Sequence, residues 1–198
     1  MTATAQASDR EEQITAIASR VITQPVEQVA DCVYFAMQNL YVRCGLEPPT
    51  IDRMKDVVIS PDPYVGLGPV QQMTMLTEMG FPGAVAIGFI PHGQTARDTF
   101  PRLMRQGWHL LISYCFLAEI TKQGAVSAVG DSDFEGLTMF AGHALVPFDV
   151  DDDGLLVIVG WPSMPVSKVP WITMPALSWN ATGQPLGIAR DFVMVQPR

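Results

Sequence analysis

Cys32 and His143 are the two residues whose type and setting could do covalent chemistry. The thiol opens a helix-like stretch, Asp31-Cys-Val-Tyr-Phe-Ala-Met-Gln-Asn-Leu-Tyr-Val-Arg-Cys-Gly45. At a helix N-terminus the dipole and the free backbone N–H groups stabilise a thiolate. The imidazole opens a strand-like stretch, Gly142-His-Ala-Leu-Val-Pro-Phe-Asp-Val150. A ring on a distant strand can serve such a thiol as its base, because the two need only meet in space. The bland alternatives are that Cys32 is a small buried apolar residue and His143 a structural strand-end ring. Cys44, on the apolar stripe of the Cys32 helix, and Cys115, mid-strand, read as packing. His109 reads as structural and His92 as a loop residue. These Cys and His residues do not form a zinc signature, so no metal and no cofactor is expected.

The elements that must position the pair follow from periodicity. Ser8-Asp-Arg-Glu11 has the form of a capping box ahead of Ile14, Ile17 and Val21, predicting a short amphipathic helix within an N-terminal extension over 1–22. Asp31 is the expected N-cap of the Cys32 helix, and Gly45 with Pro48 and Pro49 its stop. Thr50 can cap a short helix bearing Ile51, Met54, Val57 and Val58. A further helix is expected from Pro69 to Met79, with Val70, Met73 and Leu76 inward, and another around Thr99 to Gln106 with Pro101 in its first turn. Gly83–Ile90, His109–Leu117, His143–Val150, Leu155–Val159 and Ile188–Val195 read as strands. The Asp151-Asp-Asp-Gly154 turn makes a hairpin of His143–Val159. Helices crowd the first half and antiparallel strands the second, an α+β order with room for a cleft between them. No repeat or linker divides residues 1–198, so one domain is expected.

Composition narrows the class. With 48% hydrophobic and 16% charged residues, the chain has the makings of a folded core. Its net charge is −8 with only 12 Lys and Arg and no basic run, which argues against nucleic acid as a partner. No apolar run approaches ~18 residues, so no membrane span is expected. Met1 to Arg10 shows neither a basic nor an apolar leader region, and three cysteines make no disulfide framework. A reducing, cytoplasmic setting is the expectation.

The order of these motifs resembles the papain-like fold, and most closely the peptidase C39-like family. Four features carry the resemblance: the Cys-led helix closing near Gly45; the helix ending Leu76-Thr-Glu-Met-Gly-Phe81; the step Gly107-Trp-His-Leu-Leu-Ile112; and Gly142-His-Ala with its acidic turn and second strand to Val159. The match runs over roughly residues 24 to 160. It implies a papain-like α+β domain in which the Cys-bearing helix of the N-terminal half packs on a C-terminal antiparallel sheet. It also implies Cys32 as nucleophile and His143 as base. The family's oxyanion Gln falls six residues before the Cys, where Val26 stands. Gln24 would need a two-residue bulge, which Pro25 can host, and Gln28 a shorter connection; Gln24 is preferred.

The family's third residue, an Asp or Asn that fixes the ring, has no obvious counterpart. Folding the hairpin puts His143 opposite Gly160-Trp-Pro-Ser163, while Asp149 and Asp151–Asp153 lie toward the far end. Ser163, a backbone carbonyl or Asn180 could take that place, and Trp161 and Ser163 could meet substrate. Trp161, Trp171 and Trp179 could line the cleft or belong to the core. The function expected is a cysteine-dependent acyl transfer, as peptidase, amidase or acyltransferase, on a peptide-like or small acyl or amide substrate. The alternative is a degenerate papain-like domain that binds peptide without cleaving it. A third reading, a scaffold or subunit with Met and Trp surfaces as its interface, leaves a protein partner or homo-oligomer open.

Overall fold

Side-chain alternation along the strands divides the protein into two cores, one on each face of an antiparallel sheet. The computed structural model describes residues 3–25, 31–58, 67–120, 126–128, 137–171, 176–177 and 187–198. The helices are α1 (Ala3–Ala18), α2 (Cys32–Arg43), α3 (Ile51–Val57), α4 (Pro69–Glu78) and α5 (Ala96–Arg105). The strands are β1 (Gly83–Phe89), β2 (His109–Ile120), β3 (Val126–Ala128), β4 (Leu137–Val150), β5 (Gly154–Trp161), β6 (Met164–Pro170), β7 (Ala176–Leu177), β8 (Gly187–Ala189) and β9 (Asp191–Pro197). The sheet runs β1-β9-β2-β4-β5-β6, each neighbour antiparallel, with short β3 and β8 also pairing β2. This is the α+β arrangement expected from the sequence.

On one face Leu111, Ala144, Val146, Ile158, Val193 and Val195 meet the buried side of α2 together with Met54, Met75 and Leu76. Ile14, Ile17 and Val21 close that core from outside. On the other face Leu110, Ile112, Leu145, Leu155, Val157 and Phe192 pack on α5 through Ala96 and Phe100, whose ring meets Phe192 edge-on at 5.2 Å. The period of two assigns each strand residue to one core or the other. Gly45, at φ +71, closes α2 in a conformation that a side chain would strain.

Several boundaries differ from expectation. Ser8 lies inside α1, not at its cap, because Ala3, Ala5, Gln6 and Ala7 are compatible with helix and extend it N-terminally. Asp31 holds the N-cap position of α2 without capping it; its carboxylate pairs with Lys55 Nζ at 2.7 Å instead. Thr50 does cap α3, accepting from the Arg53 N–H. Val70, expected inward, is 63% exposed, because α4 turns Gln72, Met75 and Leu76 to the core. Val57 is likewise exposed. The fifth helix begins at Ala96, since Thr95 and Asp98 form a reciprocal capping box, so Pro101 is internal. His143 does not start its strand: β4 begins at Leu137 and places it mid-strand, opposite Tyr114. The expected Ile188–Val195 strand is two, broken at Arg190, and β6 forms over Met164–Pro170, which carried no strand expectation. The expectations for Gln28, Trp179, Asn180 and the Cys115 side chain fall outside the described residues.

Candidate functional site

The site is a wedge driven between β4 and β5. Their ladder is regular from the acidic turn to Val146↔Ile158, with one bulge at Phe148, and then stops. Continued, the same register would put Ala144 opposite Gly160 and His143 opposite Trp161. Instead, both members of the first of those pairs face the N-terminal half of the chain. The Gly160 carbonyl accepts from the Gln24 N–H at 2.7 Å. The Ala144 N–H lies near the Cys32 sulfur, where it favours the thiolate. Gly160, at φ +79, bends β5 away and makes the gap possible.

Asn39 holds the wedge in place. It lies seven residues after Cys32 on α2, two turns along the same face, and is 1% exposed. Its side-chain oxygen accepts from the Ile22 N–H at 2.8 Å, and its amide donates to the carbonyls of Ile22 and Phe35, each at 2.9 Å. An amide side chain thus plays the part of a neighbouring strand for residue 22, two positions before Gln24. Any Cβ added at Gly160 would touch the Ile22 carbonyl oxygen at 3.6 Å and Asn39 Nδ2 at 3.7 Å.

Four sequence-expected residues border this break, Gln24 and Cys32 from the N-terminal half and His143 with Trp161 on the strands themselves. Cys32 is the first residue of α2 and 9% exposed, His143 is 7% exposed and Gln24 5%. The indole of Trp161 lies against the His143 ring, centroids 4.9 Å apart and tilted by 43°. Ser163, by contrast, sits in the exposed turn between β5 and β6 and makes no hydrogen bond to the ring. The ring's Nε2 lies 2.7 Å from the Val159 carbonyl oxygen. A carbonyl only accepts, so Nε2 carries the hydrogen and the neutral ring keeps its lone pair on Nδ1. A backbone carbonyl therefore does the orienting that a carboxylate or carboxamide was sought for. Three of the four aspartates at the far end are engaged elsewhere: Arg10 bridges Asp149 and Asp151 at 3.0 and 3.2 Å, and Lys168 reaches Asp151 at 2.8 Å and Asp153 at 3.5 Å, while Asp152 is exposed in the same turn. Trp171 belongs to that end too, donating Nε1–H to the Asp151 carbonyl at 2.9 Å.

The resting pair is neutral. Burial pushes the Cys32 thiol up from its ordinary value; the Ala144 and Val33 N–H groups pull against it, and Asp31 adds to the rise. Burial pushes His143 down, with the Val159 bond opposing. Cys32 belongs to the α2 core, whereas Trp161, which covers His143, borders the α5 core. Sulfur and ring therefore enter the gap from opposite faces, and no hydrogen bond joins them in this structure. Among the described residues no three His, Cys, Asp or Glu side chains gather as a metal would need. No helix among them is long and apolar enough to cross a membrane.

Asn39, Gly160 and the Val159 carbonyl were not singled out by sequence. Asn39 had a signal, as a polar residue among Ala36, Met37 and Leu40 on an apolar helix. The carbonyl had none, because every residue has one. No protein-family model matches this chain, and no curated protein matches it.

Proposed function

We propose that this chain is a papain-like, C39-like domain that performs cysteine-dependent acyl transfer in a cytoplasmic setting, with Cys32 as nucleophile and His143 as general base. The observation that carries the reading is the wedge itself. Gln24 and Cys32 both approach the break between β4 and β5 from the N-terminal half of the chain, and His143 stands on β4 beside that break. In this reading the neutral imidazole accepts the thiol proton at Nδ1 as sulfur attacks the acyl carbon, then returns it to the leaving group. The Cys32 N–H and the Gln24 carboxamide hold the oxyanion. Catalytic hydrogen bonds often close only around substrate, and this one must, since sulfur and ring are apart at rest. Water as acceptor gives a peptidase or amidase, an amine an acyltransferase. Trp161 would form the substrate-facing wall beside the ring.

One specific observation favours the second reading, a non-cleaving peptide binder. The thiol is buried and held protonated, which a binder tolerates and a thiolate enzyme does not. Incubation with a diverse peptide pool, read by mass spectrometry, separates the two. Acyl transfer gives new products that vanish in Cys32→Ala and in His143→Ala. A binder enriches intact peptides, and Cys32→Ala leaves that enrichment unchanged.

A further inference from the structure

At the opposite end of α2 from Cys32, about 16 Å along the helix, lies a groove of about 350 Å³ between the second half of α1, the last turns of α2 and Ile158 of β5. Ala16, Ile17, Val21, Val42 and Ile158 make its walls aliphatic. Among the described residues, the charged ones lining it are Arg20 and Arg43 and none is acidic, in a chain that carries 20 Asp and Glu against 12 Lys and Arg. Chance placement in so acidic a protein would favour the reverse.

Arg43 is the more telling of the two. Its Nε is buried without a hydrogen-bond partner, and among the described residues the guanidinium joins no ion pair. A guanidinium nitrogen buried in this way ordinarily has a partner, because stripping its water without replacement is costly. Burial accordingly lowers its pKa. Asp149 acts on it only through space and is itself held by Arg10 at 3.0 Å. Asn39, also on the groove wall, has its polar atoms committed to Ile22 and Phe35. Arg20 is exposed and also joins no ion pair among the described residues. A helix C-terminus explains a basic residue at position 43, but not the desolvation of its Nε at the edge of an aliphatic groove.

We propose that this groove binds a small amphiphilic anion, a carboxylate or phosphate head held by Arg43 and Arg20 with a short aliphatic tail along Ile17, Val42 and Ile158. A guanidinium fork suits either head, and the groove is at the small end of the range for ligand sites. The site is separate from Cys32, and its existence does not depend on the acyl-transfer reading.

Titration calorimetry of the full chain with octanoate, octyl phosphate, octanol and acetate tests it. One or both amphiphilic anions should bind saturably and at least tenfold more tightly than octanol or acetate, and which one binds identifies the head. Arg43→Gln should weaken that binding tenfold or more and Arg20→Gln severalfold. Ala16→Phe, which fills the groove and keeps both arginines, should abolish binding and serves should Arg43→Gln fail to fold. Absence of saturable binding by either anion overturns the proposal. So does octanol binding equally well, or indifference of a folded variant at position 43 or 16.

Discussion

Replacing Asn39 should cost more than any other single polar substitution at the site, and the size follows from its partners. The side chain is 1% exposed and makes hydrogen bonds of 2.8, 2.9 and 2.9 Å to the Ile22 N–H, the Ile22 carbonyl and the Phe35 carbonyl. In Asn39→Ala the Ile22 N–H is left beside apolar packing, and an orphaned buried donor costs about 1–3 kcal/mol. Two carbonyls lose a donor, a smaller loss since Phe35 keeps its helical partner, and a small cavity adds to it. The total is about 3–4 kcal/mol, a large share of the 5–15 kcal/mol typical of a domain. Asn39→Asp sharpens the argument. It keeps the acceptor for the Ile22 N–H but turns a second, acceptor-only oxygen toward two carbonyls. At neutral pH it should be as damaging as the alanine. Desolvation and those carbonyls will raise the new carboxyl's pKa, and once protonated it can donate to one of them. Its deficit relative to the parent should therefore shrink on acidification. Denaturant unfolding followed by tryptophan fluorescence at several pH values measures all of this. An Asn39→Ala loss below about 1 kcal/mol, or an Asn39→Asp variant equal to the parent at pH 7, would refute the reasoning.

Other outcomes follow from the same structure. Gly160→Ala should cost about 1–2 kcal/mol by forcing φ +79 on a side-chain residue, seen as a lower unfolding midpoint, with no added steric penalty because its nearest neighbours stand at 3.6 and 3.7 Å. His143 and His109 are both held below the ordinary imidazole range by burial, Arg43 adding to the effect at His109. The unfolded chain therefore takes up protons first: stability is fully present above about pH 6.5 and falls as pH drops toward the native values, by at most about 1.4 kcal/mol per pH unit per ring. His143→Phe should flatten that slope in a pH series of unfolding curves. At the alkaline end, Cys44, raised to about 11 by burial, should make stability fall as pH climbs past 9, an effect that Cys44→Ser should reduce. Arg10→Ala removes the ties from α1 to Asp149 and Asp151, which are partly exposed, so it should cost no more than about 1 kcal/mol and matter less at high salt.

How far the sequence could be read depends on the kind of signal. Where one local device set the structure, it was legible: the Thr50 cap, Gly45 at the end of α2, the acidic hairpin and the apolar strand Leu155–Val159 all stand in the fold. Local readings failed where a competing contact won. Asp31 has the right residue type for a cap, but Lys55 from another helix takes its carboxylate. Ser8 has the capping pattern, but helix-compatible residues precede it. The Cys32, His143 and Gln24 neighbourhood was readable as residue types. The gap that gathers them arises from Gly160 and from backbone groups of Ala144 and Val159, which no side-chain pattern reports.

The most direct test of the central claim is the rate at which Cys32 is acylated by 4-nitrophenyl acetate, located by peptide mass spectrometry, in the parent and in His143→Ala across pH 5 to 9. Acyl transfer by the neutral pair predicts an acyl-Cys32 adduct whose rate rises through an inflection below 6.5, where the buried His143 sheds its proton, then levels off; His143→Ala should remove that limb and most of the rate. Contradiction would be a Cys32 that stays unmodified, or one acylated equally in both proteins and only as pH climbs past 9.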